Sequence, residues 1–286
     1  MTLANTIATT SLRNKFRMQN LDKLLRANLV AEKICNVDRT DAYTIQSPYG
    51  SQPTTVISAL TGTYATAAYT VTLSTLTVNS EFKIGEQVYG FENIVNNFDL
   101  FADRVDEQQA SIKTAIDKHV LNTIGTNGTG SYTTPTGGFT TSANLPVIVA
   151  NLLSKVAGYE SDYNGTYLVV ENTDLVGIIP AMAAAGFSYS DEVLNNGFKG
   201  KYMGVEIYAV PSGTFATATS GGESVTMSGC RLFGVKNMCT YAAPRGVEMD
   251  EFKIEGSTGM HIRTYGLIGA KVWAAKAGLT VKITLA

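Results

Sequence analysis

The residues that most suggest chemistry lie in the stretch GFKGKYMGVEIYAVPSG, residues 197–213. A glycine-rich loop containing Gly200-Lys201 could in principle surround a nucleotide phosphate with backbone amides and one ammonium group. A Walker-type loop also needs glycine five positions before that pair and Ser or Thr after it, but Asn195 and Tyr202 stand there. Because both positions fail, the stretch predicts a turn at Asn196-Gly197 that leads into a strand.

Side chains for acid–base chemistry or metal binding are few. The only histidines are His119, within a helical pattern, and His261, within a strand pattern. Asp103 and Glu107 are one helical turn apart but lie off the apolar stripe of their predicted helix, as on a solvated or partner-facing surface. Neither GxSxG nor HExxH occurs. We therefore expect a non-enzymatic protein with no catalytic residues, no metal site and no cofactor.

The composition favours a chain that meets other protein over much of its surface. Of its 286 residues, 44% are apolar and only 16% are charged. Ordinary soluble domains carry about 25% charged residues, so this surface is poor in charge. The net charge of -2 excludes a protein that is basic as a whole, but a local basic segment remains compatible with it.

One basic segment lies at the N-terminus. Residues 1–40 contain seven basic and three acidic side chains, a local balance of +4. Apolar residues at mostly helical spacing between residues 11 and 34 predict an amphipathic N-terminal arm. A solvated helix and a helix facing nucleic acid are about equally compatible with this pattern. The side chains that would face nucleic acid are Arg13, Lys15, Arg17, Lys23 and Arg26.

The cysteine pattern and the lack of targeting signals indicate a cytosolic origin. Cys35, Cys230 and Cys239 are an odd set without CxxC spacing, which predicts buried, reduced thiols. The first residues show no apolar segment behind a basic head, and no apolar run reaches transmembrane length. We expect synthesis in a cytosol and no membrane partner.

Residues 42–92 predict a long β-hairpin. Apolar and polar residues alternate there, with a turn at residues 61–63, and between residues 42 and 90 only Glu81, Lys83 and Glu86 are charged. An isolated hairpin cannot bury both faces, so we expect this one to lie against another surface.

Residues 96–125 predict a long helix, and a compact α/β unit follows. The helix carries one apolar stripe broken only by Gln109, and its length is about 40 Å. A turn-rich stretch, a second helix at residues 144–159, a strand and a short helix come next. We expect residues 214–229 to form a flexible surface loop, and the C-terminal strands to be separated by glycines such as Gly266 and Gly269.

The order of these elements resembles that of the major capsid proteins of tailed bacteriophages. Three stretches carry the resemblance. The long helix runs into Gly125–Gly130 and then Pro135–Gly137. Gly204-Val205 leads into a strand that ends at Pro211, and Tyr265-Gly266 precedes Lys271-Val272. The resemblance covers nearly the whole chain from about residue 40.

This resemblance implies an α+β chain with the Hong Kong 97-type capsid fold. The implied divisions are an N-terminal arm at 1–41, an extended hairpin loop at 42–92 and a peripheral domain with the spine helix at 93–161. An axial domain at 162–243 and the peripheral C-terminal strands at 244–286 complete the chain. The family function is to self-assemble into the icosahedral shell that encloses phage DNA.

The resemblance also implies partners and a location. The chain would associate with itself in hexameric and pentameric capsomers, with portal and decoration or head-completion proteins, and non-specifically with packaged double-stranded DNA. Only about 40 residues precede the hairpin, so we expect either a trimmed chain or a separate scaffolding protein. The location would be the virion capsid, after a period in the host cytoplasm. The alternatives are an encapsulin-type nanocompartment shell and a surface-layer or binding module.

Overall fold

The computed structural model describes residues 29–39, 42–50, 71–88, 100–157, 165–185, 198–215, 217–220, 223–244, 247–253 and 260–286. The helices are α1 (Ala31–Ile34), α2 (Leu100–Asn127), α3 (Asn144–Val156) and α4 (Leu175–Ala184). Single turns of 3-10 helix lie at Gly138–Thr140 and Asn172–Asp174, and a longer one lies at Ala274–Leu279.

Fifteen strands occur in these ranges. The first seven are β1 (Asn36–Asp38), β2 (Thr44–Gly50), β3 (Val71–Thr77), β4 (Ser80–Val88), β5 (Gly130–Thr133), β6 (Thr166–Glu171) and β7 (Phe198–Tyr202). The others are β8 (Val205–Val210), β9 (Thr217–Ser220), β10 (Glu223–Thr226), β11 (Cys230–Val235), β12 (Cys239–Ala242), β13 (Val247–Lys253), β14 (Met260–Val272) and β15 (Thr280–Thr284). The predicted α+β class is confirmed.

The long helix α2 organises the fold. Its 28 residues correspond to about 42 Å at about 1.5 Å per residue. The predicted stripe residues Ile112, Ile116, Val120 and Ile124 are buried. Leu121 is also fully buried, because strands of two different sheets pack against the C-terminal half of α2. The predicted start of the helix, at residue 96, lies outside the described residues.

A six-stranded sheet lies over the C-terminal half of α2. Its strand order is β5-β15-β11-β6-β8-β7, with β5 parallel to β15, β6 parallel to β8 and the other pairs antiparallel. Side chains on β6 alternate between two cores: Tyr167 and Val169 face α2, whereas Leu168 and Val170 face α3 and α4. A strand covered on both faces reads as a continuous apolar run, as TYLVVE does.

A second sheet is built on the long strand β14. Its C-terminal part pairs with β12, which also pairs with β1, and its N-terminal part pairs with β13 on one edge and β4 on the other. β14 runs through Gly266 and Gly269 without interruption, so the predicted breaks at these glycines are wrong. A Cβ on Gly269 would lie 2.9 Å from the Thr77 carbonyl oxygen, so glycine permits close crossing there.

The structure corrects two further predictions. Residues 217–220 and 223–226 form a small antiparallel pair, β9 with β10, beside α2, where a flexible loop was expected. Phe215 and Met227, which flank this pair, are buried in the α2 core. The predicted turn-rich stretch after α2 contains strand β5, because Thr129 N donates to the Ala277 carbonyl and leads the chain into register with β15.

The two sheets draw on several of the five predicted segments. The six-stranded sheet takes β5 from residues 93–161, β15 from 244–286 and its other strands from 162–243. Conversely, β12 lies in the segment 162–243, yet it pairs with β14, which lies in the segment 244–286. β4 lies in the predicted hairpin segment 42–92, yet it pairs with β14 over nine residues.

Candidate self-association surface

A two-stranded ribbon formed by β2 and β3 pairs with neither of the two sheets. The two strands pair antiparallel, from Thr44 opposite Thr77 to Gly50 opposite Val71. Within the described chain, neither strand pairs with a third. Residues 42–80 contain no Asp, Glu, Lys, Arg or His. The ribbon therefore has open hydrogen-bonding edges and no charge that would repel another protein chain.

The base of the ribbon is fixed to the body of the protein. Leu76 and Val78 are buried against Ala242, with Leu267 and Trp273 beside them. Lys271 Nζ donates a hydrogen bond to the Thr75 carbonyl, while its ammonium lies 5.8 Å from the centre of the Trp273 ring. These contacts anchor one end of the ribbon in a defined direction.

Beyond the base, the ribbon exposes apolar side chains. Leu73 is 61% exposed and Val71 is 51% exposed, and at the base itself Tyr43 is 60% exposed. Leu73 lies opposite Pro48 in the register, so one face of the ribbon presents apolar groups and threonines. A two-stranded ribbon is at best marginally stable in water, and a partner surface over this face would remove apolar area from solvent.

Helices α3 and α4 expose a second apolar surface. Val176 and Ile179 on α4 are 72% and 41% exposed, and Val147 on α3 is 50% exposed. The opposite faces of both helices are buried against the six-stranded sheet, with Leu145, Ile148 and Leu152 inward as predicted. α4 itself contains no charged residue.

Side chains of α2 hold the sheet from which the ribbon projects. Arg104 on α2 donates two hydrogen bonds to Glu86 on β4, at 3.1 and 3.0 Å. Thr264 Oγ1 on β14 donates to Gln108 Oε1 at 2.8 Å. His119 Nε2 lies 3.2 Å from Ser80 Oγ, at the start of β4. The His119 side chain thus lies between α2 and β4, where it has the position of a structural residue.

The Gly200-Lys201 stretch forms a hairpin. β7 and β8 are joined by Met203 and Gly204, whose φ angles of 49° and 82° are those of a two-residue hairpin turn. The turn thus lies at Met203-Gly204; Asn196-Gly197 is outside the described residues. Lys201 Nζ lies 3.1 Å from Glu206 Oε1 on β8, which accounts for the lysine without a phosphate.

The Glu206 carboxylate is contacted by several hydrogen-bond donors. Its carboxylate accepts hydrogen bonds from Lys236 Nζ and from Tyr208 Oη, in addition to the Lys201 contact. Burial opposes ionisation, yet the hydrogen bonds from Lys236, Tyr208 and Lys201 lower the pKa of Glu206 to about 2. A carboxylate held ionised in this way joins β7, β8 and the turn after β11, and has the character of a structural ion pair.

The remaining candidate residues lie in separate places. His261 on β14 lies opposite the β4 side chain of Gln87, with a nitrogen–nitrogen distance of 2.9 Å. Asp103 lies in the first turns of α2. In the ranges that the structure describes, no three His, Cys, Asp or Glu side chains are arranged to bind a metal. The five basic arm residues, Arg13, Lys15, Arg17, Lys23 and Arg26, lie outside the described ranges.

Sequence reasoning missed the place where the N-terminal arm joins the fold. We call residues 29–38 the arm root. Asp117, buried in the middle of α2, accepts backbone hydrogen bonds from Ala31 at 2.7 Å and Val30 at 3.2 Å. Burial raises the pKa of Asp117 to about 6, against the opposing effect of these two hydrogen bonds. An aspartate beside the apolar stripe of the helix was the available signal.

Solved structures resemble this architecture along most of its length. A chain in the capsid structure of cyanophage P-SCSP1u is 10% identical, covers 88% of this chain and 86% of its own, and gives a TM-score of 0.64. A chain from Mycobacterium phage Che8 is 14% identical over 99% of this chain and 94% of its own, with a TM-score of 0.64. This chain has the Hong Kong 97-type capsid fold.

The capsid of a native GTA particle shares the same fold, with 12% identity, coverage of 91% and 90%, and a TM-score of 0.61. No protein-family model matches the sequence, and a search of curated proteins finds no match. Among the helices in the described ranges, none combines the length and apolar character needed to cross a membrane.

Proposed function

We propose that this chain is the major capsid protein of a tailed bacteriophage and that its copies assemble into the icosahedral shell around the phage DNA. The observation that carries the proposal is the uncharged ribbon, which exposes apolar side chains and open edges on a Hong Kong 97-type fold. Its role is structural, since the surfaces just described suit protein contact and not a reaction.

The proposed division of labour follows the packing. The peripheral part comprises α2, β4, β13 and β14, with the ribbon as the extended loop that reaches over a neighbouring copy. The axial part comprises the six-stranded sheet with α3 and α4, and meets its copies at the centres of capsomers. We extend the axial part to β5 and β15, because both pair within that sheet.

The proposed partners are other copies of the chain in hexamers and pentamers. A separate scaffolding protein, a portal and decoration or head-completion proteins complete the set, and double-stranded DNA contacts the shell non-specifically. The proposed location is the virion capsid, after synthesis in the host cytoplasm. The basic arm residues remain proposed DNA contacts on the inner side.

Sedimentation of the purified chain, expressed with and without its neighbouring genes, tests this proposal. Closed particles of uniform size that contain DNA when produced during infection are the expected result. Particles filled with a protein cargo would instead indicate a nanocompartment. A chain that remains monomeric under all conditions, and is missing from virus particles, would overturn the proposal.

A further inference from the structure

Two buried cysteines from distant parts of the chain lie in contact at the arm root. The Cys239 thiol donates to the Cys35 sulfur at 3.2 Å, across 204 positions of sequence. Cys35 is 4% exposed and Cys239 is 1% exposed. Cys35 directly follows α1 and precedes β1, and Cys239 begins β12. The contact thus joins the arm root to the sheet built on β14.

The backbone register places the two residues side by side. β1 and β12 pair in parallel, with Asn36 opposite Thr240. Cys35 and Cys239 each come one residue before this pair, so they lie next to each other. Neighbouring strands lie about 4.8 Å apart. Disulfides join residues whose Cα atoms are about 4.4 to 6.8 Å apart. A covalent bond between these sulfurs therefore needs little movement of either strand.

We propose that Cys35 and Cys239 are a disulfide site that covalently closes the arm root when the protein meets an oxidant. The oxidant is a small-molecule disulfide such as oxidised glutathione. The thiolate of one cysteine attacks it, forming a mixed disulfide and releasing one glutathione thiolate. The second cysteine then attacks the mixed disulfide at its protein sulfur and releases the other glutathione. Two protein thiols are oxidised, and two glutathione molecules leave carrying the two protons.

The surroundings make this reaction slow in the closed fold. Burial, contact with the Cys239 thiol and the charge of Asp117 raise the pKa of Cys35, which disfavours the reactive thiolate. The arm root is held by a four-residue helix and a three-residue strand. Such short elements open locally more readily than the core sheets. The reaction proceeds through that opening, and reclosure brings the sulfurs together.

The bond would stabilise the protein mainly by restricting its unfolded chain. It closes a loop that contains the ribbon, α2, five strands of the six-stranded sheet, and β1 and β4 of the other sheet. Long loops are restricted most in the chain-entropy model. The proposed function supplies the timing: cytosolic thiols stay reduced, whereas particles released from a cell meet oxidising surroundings. The bond itself does not depend on that function.

The third cysteine provides a matched control. Cys230 on β11 is also buried, and its thiol donates to the Ser228 carbonyl at 3.5 Å. A C230S variant should form the same disulfide as the natural chain. C35S and C239S should each lose it, although the change from sulfur to oxygen is as small as at Cys230.

The experiment is a thiol count on the purified full chain, whether assembled or not. The folded protein is incubated with oxidised glutathione, just below the onset of unfolding, until the count stops changing. It is then denatured and alkylated. The natural chain contains three cysteines, and we expect one alkylated residue, Cys230, with the other two in one linked peptide pair. The melting temperature should rise on oxidation and return on reduction.

Two results would overturn the proposal. One is a plateau at which the folded chain still has three alkylatable thiols. The other is glutathione attached to Cys35 or Cys239 without a link between them. Because the count is made on the natural chain, a variant that fails to fold does not affect the conclusion. Failure of shell assembly would not change the expected count, so the two proposals are tested separately.

Discussion

Asp117 and Ala31 are joined by a 2.7 Å hydrogen bond in which the buried carboxylate accepts the first backbone N–H of α1. Val30 N donates to the other carboxylate oxygen at 3.2 Å. A four-residue helix has little stability of its own, and the N-cap residue of α1, Val30, has no side chain that can accept a hydrogen bond. The Asp117 carboxylate takes the place of an N-cap side chain. The start of α1 therefore depends on a single side chain of α2.

Removal of this acceptor should loosen the arm root. At pH 5, D117A should lower the free energy of unfolding by about 2 kcal/mol, because it leaves two buried N–H groups without their acceptor. Amide exchange at residues 29–35 should become faster, while exchange in α3 stays unchanged. T114A is the control on the same helix, since Thr114 bonds only locally, to the Ala110 carbonyl. Unchanged exchange at the arm root in D117A would contradict this role.

The raised pKa of Asp117 gives stability a definite pH dependence. Its ordinary pKa is 3.8 and its folded value is about 6, so the folded chain binds more protons than the unfolded chain between these values. The contribution of Asp117 to stability is therefore greatest below about pH 4 and falls by about 3 kcal/mol as the pH rises through 6. The contribution of Glu206 has the opposite sign and is lost at lower pH, between 4.5 and about 2.

Urea unfolding of the natural chain and of D117N at pH 4, 5, 6 and 7 isolates this effect. The natural chain should lose stability relative to D117N as the pH rises. A constant difference between the two proteins across this range would show that Asp117 does not titrate as described.

A buried ion cluster should be far more sensitive to substitution than a surface pair. Arg231 is 5% exposed and contacts Asp174 through two hydrogen bonds, and its Nη2 also lies 3.2 Å from Glu171. R231M leaves both carboxylates buried without their cation, and should lower the free energy of unfolding by about 3 to 5 kcal/mol. The measurement is chemical denaturation at pH 7.

K83M provides the matched comparison, because Lys83 lies 3.3 Å from Glu81 in an exposed pair. K83M should lower the free energy of unfolding by less than about 1 kcal/mol. Equal costs for R231M and K83M would refute the structural role of the buried cluster.

Charge on the ribbon should block assembly without unfolding the subunit. Leu73 is 61% exposed, so L73E removes no core contact, and the free energy of unfolding should change by less than about 0.5 kcal/mol. A carboxylate buried at a contact with a neighbouring copy carries a desolvation cost, so L73E should remain as small species in sedimentation. L73M keeps the apolar character and should assemble like the natural chain. Normal particles from L73E would remove the ribbon from the contact.

The sequence was informative where structure is local. The periodicity of residues 96–125 identified α2, and the alternation before residue 78 identified β3, because both patterns depend on near neighbours. Pairing between distant segments was not accessible in this way. Nothing in residues 280–284 indicates that β15 lies between β5 and β11, or that β4 leaves the hairpin segment to pair with β14.

The candidate site was only partly predictable for the same reason. The absence of charge in residues 42–80 predicted a surface that would meet protein, and the structure adds which side chains it exposes. The arm root was not predicted, because Asp117, Cys35 and Cys239 become neighbours only when α1 docks on α2 and β12. The pairing of β9 with β10 was missed because the Thr and Ser residues of these strands suit loops and strands alike.

Cryo-electron microscopy of particles assembled from the natural chain tests the proposed function most directly. The expected result is a closed icosahedral shell in which the six-stranded sheets gather around capsomer centres and each β2–β3 ribbon lies over a neighbouring copy, with Leu73 at the contact. A chain that forms no shell, or a shell whose ribbons contact no neighbouring copy, would contradict it.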